Sequence, residues 1–193
     1  FNRMKLAGFT FIQPWNSLVY HLTGRGAGSF SGDEQRHKDW QQEMHYSTKE
    51  FIRKWGSNVL HTKLMDPIIP PKYDIGIKIK GGTSNLLELL EPWCSNILLD
   101  DEMQVIITHY LDKEQKNTAF DLSKKIKSTP FQSLDNDIIV EIDQSTFSNE
   151  DFQIIQQLSQ IVKQSGEIGK FEIGNLFITI DKLEEYQNSL IKI

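Results

Sequence analysis

Short β-branched runs alternate with helical segments over the second half of the chain, and this alternation constrains the fold more than any other feature. Residues 73–79 alternate strictly, with Tyr73, Ile75, Ile77 and Ile79 on one face, which predicts a strand with one buried face. Residues 84–90 come next as a predicted helix, and Ile97, Leu98 and Leu99 form the next apolar run. Strands that alternate with helices are typical of a layered fold, so the sequence predicts an α/β architecture.

Further elements are predicted toward the end of the chain. The clearest is a helix over residues 149–164, because Ser148 can cap its first turn, Asp151 stands three positions later, and apolar residues recur at helical spacing. Residues 170–180 next predict a strand or a tight hairpin around Gly174 and Asn175. The remaining predictions are a strand at 103–110, a helix at 117–127, a strand at 137–143, and a last helix with Leu183, Tyr186 and Leu190.

The chain begins with a pattern typical of the middle of a helix. Residues 2–7 predict a helix that ends before Gly8. Aromatic and β-branched residues then predict two strands, at residues 9–12 and 17–21, with Pro14 between them. We therefore expect the chain to be the C-terminal part of a longer protein.

A proline-rich stretch separates the two parts of the sequence. Residues 33–55 are polar with a helical pattern, and a break is predicted near residues 45–47. Residues 66–71 resist a helix because each residue before a proline prefers extended geometry. We therefore predict a domain boundary there, between residues 1–69 and residues 70–193.

Composition and charge exclude several classes of protein. With 193 residues, of which 38% are hydrophobic, the chain can form one compact core or two small ones. The net charge of −5 gives no broad electrostatic reason to bind nucleic acid. The longest apolar runs are too short to span a membrane. The single cysteine, Cys94, excludes an internal disulfide framework and suits a reducing compartment, so a cytoplasmic location is expected.

The strongest functional signal lies in the first 60 residues. The elements that carry it are, in chain order, Arg3, Ala7-Gly8-Phe9, Pro14, Val19-Tyr20-His21, Gly24-Arg25-Gly26 and Phe51-Ile52-Arg53-Lys54-Trp55-Gly56. Their order and spacing resemble the end of the catalytic core of family 2 glycosyltransferases with the GT-A fold. The fold class expected from this resemblance is the C-terminal fragment of a GT-A-like core, followed by a small α/β layered domain.

The resemblance implies a parent enzyme that transfers a sugar from a nucleotide-sugar to an acceptor with a divalent metal, Mn²⁺ or Mg²⁺. It implies that His21 contacts the metal and that Arg25 binds the diphosphate through its guanidinium. The nucleotide-binding half, the aspartate metal motif and the general base would lie upstream of Phe1, so the catalytic residues are unknown. No cofactor, and weak or no binding of nucleotide-sugar, are then expected of this chain. In the alternative interpretation, His21 is a hydrogen-bonded structural residue at a strand end.

Residues 72–193 contain no catalytic motif, and they resemble an accessory domain of some glycosyltransferase-like proteins of marine viruses and bacteria. Asp100-Asp101-Glu102 comes after an apolar strand, where carboxylates can gather a cation, although such residues also form ordinary acidic turns. The alternative function is a non-enzymatic α/β protein-interaction domain. If the chain is separated from the rest of a GT-A core, open aromatic strands in residues 1–30 predict self-association, most simply as a homodimer.

Other distinctive residues are interpreted as structural. Cys94 has no cysteine partner and is interpreted as a small buried hydrophobe. Glu141 and Asp143 fall on the predicted solvent-facing side of their strand. The tryptophans Trp40, Trp55 and Trp93 could stack on sugar rings but are interpreted as core residues. No zinc site is expected from His37, His45, His61 and His109, which lack paired spacing.

Overall fold

A mixed six-stranded sheet forms the centre of the computed structural model, which describes residues 1–12, 14, 16, 34–129 and 133–185. The described helices are α1 (Asn2–Leu6), α2 (Glu34–Trp55), α3 (Ser84–Leu90), α4 (Gln104–Glu114), α5 (Leu122–Lys125) and α6 (Asn149–Ser165). The described strands are β1 (Leu60–His61), β2 (Pro67–Ile68), β3 (Ile75–Lys80), β4 (Asn96–Leu99), β5 (Ile126–Ser128), β6 (Ile138–Asp143), β7 (Gly169–Ile173) and β8 (Leu176–Ile180).

The strand order of the large sheet is β5-β4-β3-β6-β8-β7. Strands β3 to β6 are parallel, whereas β8 is antiparallel to both of its neighbours. From β3 the chain steps outward to β4 and then β5, and it returns to the other side of β3 with β6. The predicted α/β class is therefore confirmed, and the strand order reverses between β3 and β6.

One face of this sheet is buried and the other is open over much of its width. In β3, Ile75, Ile77 and Ile79 are buried, while Lys78 and Lys80 are exposed. Strands β6 and β8 alternate in the same way. The buried strand residues form one core with apolar side chains of α2, α3, α4 and α6. The strand predicted at residues 73–79 is confirmed over Ile75–Lys80, with Tyr73, Ile75, Ile77 and Ile79 buried as expected, and Gly76 is buried as well.

Helix α6 forms as its sequence predicts. Ser148 Oγ accepts a hydrogen bond from the Asp151 N–H, and Asp151 in turn accepts from the Ser148 N–H, which completes a capping box. Gly166 ends the helix with a φ of 62°, a conformation that favours glycine. Of the two alternatives predicted for residues 170–180, the structure has the hairpin, formed by β7 and β8.

Two predictions near the N-terminus are wrong. Residues 9–12 do not form a strand, because the Phe9 N–H donates to the Met4 carbonyl and closes the end of α1. Phe9 and Ile12 are 62% and 84% exposed. The break predicted near residues 45–47 is also absent, since α2 continues to Trp55. Its C-terminal half is held by burial, which outweighs the modest helix propensity of the residues around the predicted break.

Two predictions in the second half need correction as well. The strand predicted at residues 103–110 is wrong, because α4 occupies most of them. Ile107, Tyr110 and Glu114 are its buried residues, and their spacing of three and four is helical. The helix predicted at 117–127 is limited to α5, after which β5 pairs with β4. The strands predicted at Ile97–Leu99 and at 137–143 and the helix predicted at 84–90 are confirmed as β4, β6 and α3.

The stretch at residues 66–71 does not isolate the N-terminal elements from the sheet. Ile52 of α2 belongs to the same core as Trp93. Lys5 of α1 binds the carboxylate of Asp66 and the carbonyl oxygen of Pro67. The domain boundary predicted there stays a prediction, and α2 contacts residues on its far side.

Candidate functional site

The site that the sequence predicts lies outside the described residues. His21 and Arg25 both fall in the segment 17–33, as does the predicted strand 17–21. The metal and diphosphate contacts implied for them stay predictions. Much of the predicted dimer contact in residues 1–30, and most of the last predicted helix, from Tyr186 onward, also lie outside the described residues.

Within the described residues, the reversal of strand order marks the most favourable place for a ligand. In open parallel sheets, ligands bind beyond the carboxyl ends of the strands at the point where the order reverses. Here that point lies between the ends of β3 and β6. Two glycines, Gly81 and Gly82, come directly after β3, and the Gln144 N–H after β6 donates to the Lys80 carbonyl oxygen. We call this region the carboxyl edge.

Asp100 connects the ends of two strands at the carboxyl edge. It comes directly after β4, and its Oδ2 accepts a hydrogen bond of 2.8 Å from the Gly81 N–H. Gly81 has a φ of 71°, so a side chain at this position would be strained. A carboxylate has about four lone-pair sites, and one bond to Gly81 leaves Asp100 with capacity for further donors.

Asp143 and Lys80 form an ion pair at the ends of β6 and β3. Lys80 Nζ lies 3.0 Å from Asp143 Oδ2, and Ser145 donates to Asp143 Oδ1 from its N–H and its hydroxyl, at 2.9 and 2.6 Å. The bonds from Ser145, together with that from Lys80, lower the pKa of Asp143 to about 2. Asp143 and, more weakly, Asp100 raise the pKa of Lys80. Because the Lys80 side chain is 80% exposed, its charge is accessible to a ligand.

A second group of charges is buried between α2 and the helices that cover the sheet. Arg53 donates to Glu91 from Nε and Nη2 and to Glu114 from Nη2, and the last bond is 2.7 Å long. Lys125 Nζ lies 2.7 Å from Glu91 Oε1, and Lys49 Nζ lies 3.3 Å from Glu114 Oε2. We call these five residues the buried ionic cluster.

The buried ionic cluster holds elements together rather than presenting groups to solvent. Burial opposes the charge of Arg53, but its carboxylate partners raise the pKa of Arg53 overall. Burial likewise opposes the charge of Glu91, yet Lys125 and Arg53 hold its pKa at about 2. The hydroxyl of Tyr110 also donates to Glu91, at 2.9 Å. Each of the two carboxylates contacts two of the three cations, and the cluster is assigned a structural role.

Several residues singled out in the sequence have the structural roles expected for them. Cys94 is buried, and burial raises the pKa of its thiol to about 12, which does not suit a nucleophile. Trp55 and Trp93 are buried, and Glu141 lies on the exposed face of β6. In the part of the chain that the structure describes, no three His, Cys, Asp or Glu side chains are grouped as metal ligands.

Sequence reasoning identifies Asp100 as a candidate but misses its partners. The signal present in the sequence is the pair Gly81 and Gly82 directly after a predicted strand, with Asp100 about 20 residues further on, a spacing known from nucleotide-binding α/β folds. The buried ionic cluster leaves no such signal, because its members are far apart in the sequence.

Comparison of the chain with protein-family models, with curated proteins and with solved structures finds no match. Among the described residues, none of the helices has the length and apolar character needed to cross a membrane.

Proposed function

We propose that the chain is part of a protein of the glycosyltransferase type and that its carboxyl edge binds a nucleotide. This nucleotide site is separate from the nucleotide-sugar donor site, which the resemblance puts upstream of Phe1 and near His21 and Arg25. The observation that carries this proposal is the position of Asp100, which is bonded to Gly81 beside the point where the strand order reverses. The sugar-transfer part of the proposal is supported by the sequence resemblance of the first 60 residues.

Each group at the carboxyl edge suits one part of a nucleotide. Asp100 would accept hydrogen bonds from the ribose hydroxyls, as an acidic residue after the second strand does in related sheet topologies. Gly81 and Gly82 have no side chains to keep a ligand from the backbone. Lys80 would face the phosphates with an exposed ammonium group, which is a compact point charge for phosphate.

The divalent metal expected from the resemblance is not part of the proposal for this edge. Asp143, the carboxylate at the end of β6, is already bonded to Lys80 and Ser145. Within the described residues it is not joined by two further ligands. The metal contact remains a prediction for His21, which lies outside the described residues.

Titration calorimetry with the full chain tests the proposal, using UDP, GDP and ADP as probes. We expect at least one of them to bind with a Kd on the order of 10–100 µM. Asp100→Asn should weaken that binding at least tenfold, because the amide keeps an acceptor for the Gly81 N–H but loses the charge and a second acceptor oxygen.

A matched control and a null result make the test decisive. Asp112→Asn removes a carboxylate from the exposed side of α4 and should leave binding unchanged. Absence of binding to all three probes up to millimolar concentration would refute the proposal for the carboxyl edge. That result would favour the alternative of an interaction domain, or a diphosphate site that depends on His21 and Arg25.

A further inference from the structure

The open face of the sheet carries a row of four side chains at one level. Lys78 on β3 is in register with Glu141 on β6, Glu141 with Phe177 on β8, and Phe177 with Glu172 on β7. Residues in register on neighbouring strands point to the same side of a sheet. The row therefore crosses four strands, with the Phe177 ring between two carboxylates.

This row forms part of a groove of about 450 Å³, which Lys80, Asp143 and Asn175 also line. That volume is within the range of small-molecule sites, about 300–1,000 Å³. Phe177 is 57% exposed, whereas the adjacent residues Leu176 and Ile178 on the same strand are buried. A large aromatic ring thus faces solvent among polar side chains.

Four of the five charged side chains that line the groove form two ion pairs, and Glu172 is the fifth. Lys78 Nζ lies 3.3 Å from Glu141 Oε2, and Lys80 Nζ lies 3.0 Å from Asp143 Oδ2. The groove therefore presents two ammonium donors beside three carboxylate acceptors. A neutral ligand with many hydroxyl groups can bond to both members of the Lys78–Glu141 pair without separating them.

We infer that this groove binds a neutral saccharide. The apolar face of a sugar ring would stack on Phe177, since aromatic side chains bury large apolar areas in a defined geometry. The sugar hydroxyls would donate to Glu141 and Glu172 and accept from Lys78, in the pattern of a few polar groups that fix a ligand's orientation. This inference goes beyond the proposed function, because it requires no nucleotide at the carboxyl edge.

Titration of the full chain with maltopentaose, cellopentaose and chitopentaose, monitored by NMR shifts or calorimetry, tests this inference. At least one of these sugars should bind in the millimolar range. Phe177→Ala should weaken that binding at least tenfold, and Phe177→Trp should preserve it because the stacking surface remains. Phe120→Ala, which removes another partly exposed aromatic ring outside the groove, should leave the affinity unchanged.

The controls separate this inference from folding defects and from the proposed function. Phe177 is exposed, so Phe177→Ala should melt at nearly the wild-type temperature and should bind nucleotide as the wild type does. No binding of the three sugars, or equal binding by the wild type and Phe177→Ala, would overturn the inference. Tighter binding of a pentalysine peptide than of any of these sugars, lost in Glu172→Gln, would overturn it in favour of a cationic partner.

Discussion

Replacement of Arg53 by Met should destabilise the protein markedly. The Arg53 side chain is 1% exposed and is bonded to Glu91 and Glu114, which are fully buried. Met has a similar length but no charge, so the substitution preserves much of the packing while it leaves the carboxylates without their shared partner. The protein must then either keep buried charges that are poorly compensated or protonate them.

The size of the destabilisation by Arg53→Met depends on the ion pairs that Glu91 and Glu114 keep. Glu91 keeps Lys125 at 2.7 Å, and Glu114 keeps Lys49 at 3.3 Å. Removal of one partner of a buried ion pair costs about 3–5 kcal/mol, and we expect about 3 kcal/mol because each carboxylate retains one cation. A chain of this size loses about 2–4 °C of melting temperature per kcal/mol. The melting temperature should therefore fall by about 6–12 °C.

Circular dichroism during heating at pH 7 measures this effect, with urea unfolding as the second measurement. The matched control is Lys80→Met, which breaks an ion pair on the exposed face of the sheet. Exposed pairs contribute little to stability, so this control should melt close to the wild type. A decrease for Arg53→Met no larger than that for the control would refute the structural role of the buried ionic cluster.

Two further predictions concern carboxylates. The folded-state pKa of Glu91, about 2, is below its ordinary value of 4.5. The stability that this carboxylate contributes is therefore complete above pH 4.5 and is lost as the pH falls toward 2. In Glu91→Gln, the midpoint of urea unfolding should change less with pH over that interval than it does in the wild type. Asp151→Ala should cost about 2 kcal/mol in urea unfolding, since Asp151 accepts from Ser148 and Asn175, whereas exposed Glu150→Ala should change little.

The parts of the fold that sequence reasoning predicts correctly have a local cause. Strand β3 is predicted by strict alternation, and α6 by a cap, an apolar stripe and Gly166 at its end. Residues 103–110 favour the wrong prediction because Val105, Ile106 and Ile107 form a β-branched run. Tertiary contacts favour the helix there, because α4 places Tyr110 against Glu91 and Glu114 against Arg53 in the buried ionic cluster.

The candidate sites depend on information that a sequence does not display. Asp100 is identifiable as a carboxylate after a strand, but its bond to Gly81 exists only because β3 and β4 are neighbours in the sheet. Phe177 and Glu141 are far apart in the chain and become neighbours through the antiparallel register of β8 with β6. Strand order and register are set by the whole sheet, and single segments do not encode them.

The residues at the end of α2 show how one motif can carry both a resemblance and a physical role. The run from Phe51 to Gly56 is part of the glycosyltransferase resemblance, yet each of its central features has a packing reason here. Trp55 is buried, Arg53 forms the buried ionic cluster, and Gly56 has a φ of 71° at the end of the helix. Lys72 then donates to the carbonyl oxygens at the helix end, and burial together with nearby Lys125 lowers the pKa of Lys72 to about 8. These contacts cross the predicted boundary at residues 66–71, so α2 and the sheet are expected to unfold as one cooperative unit.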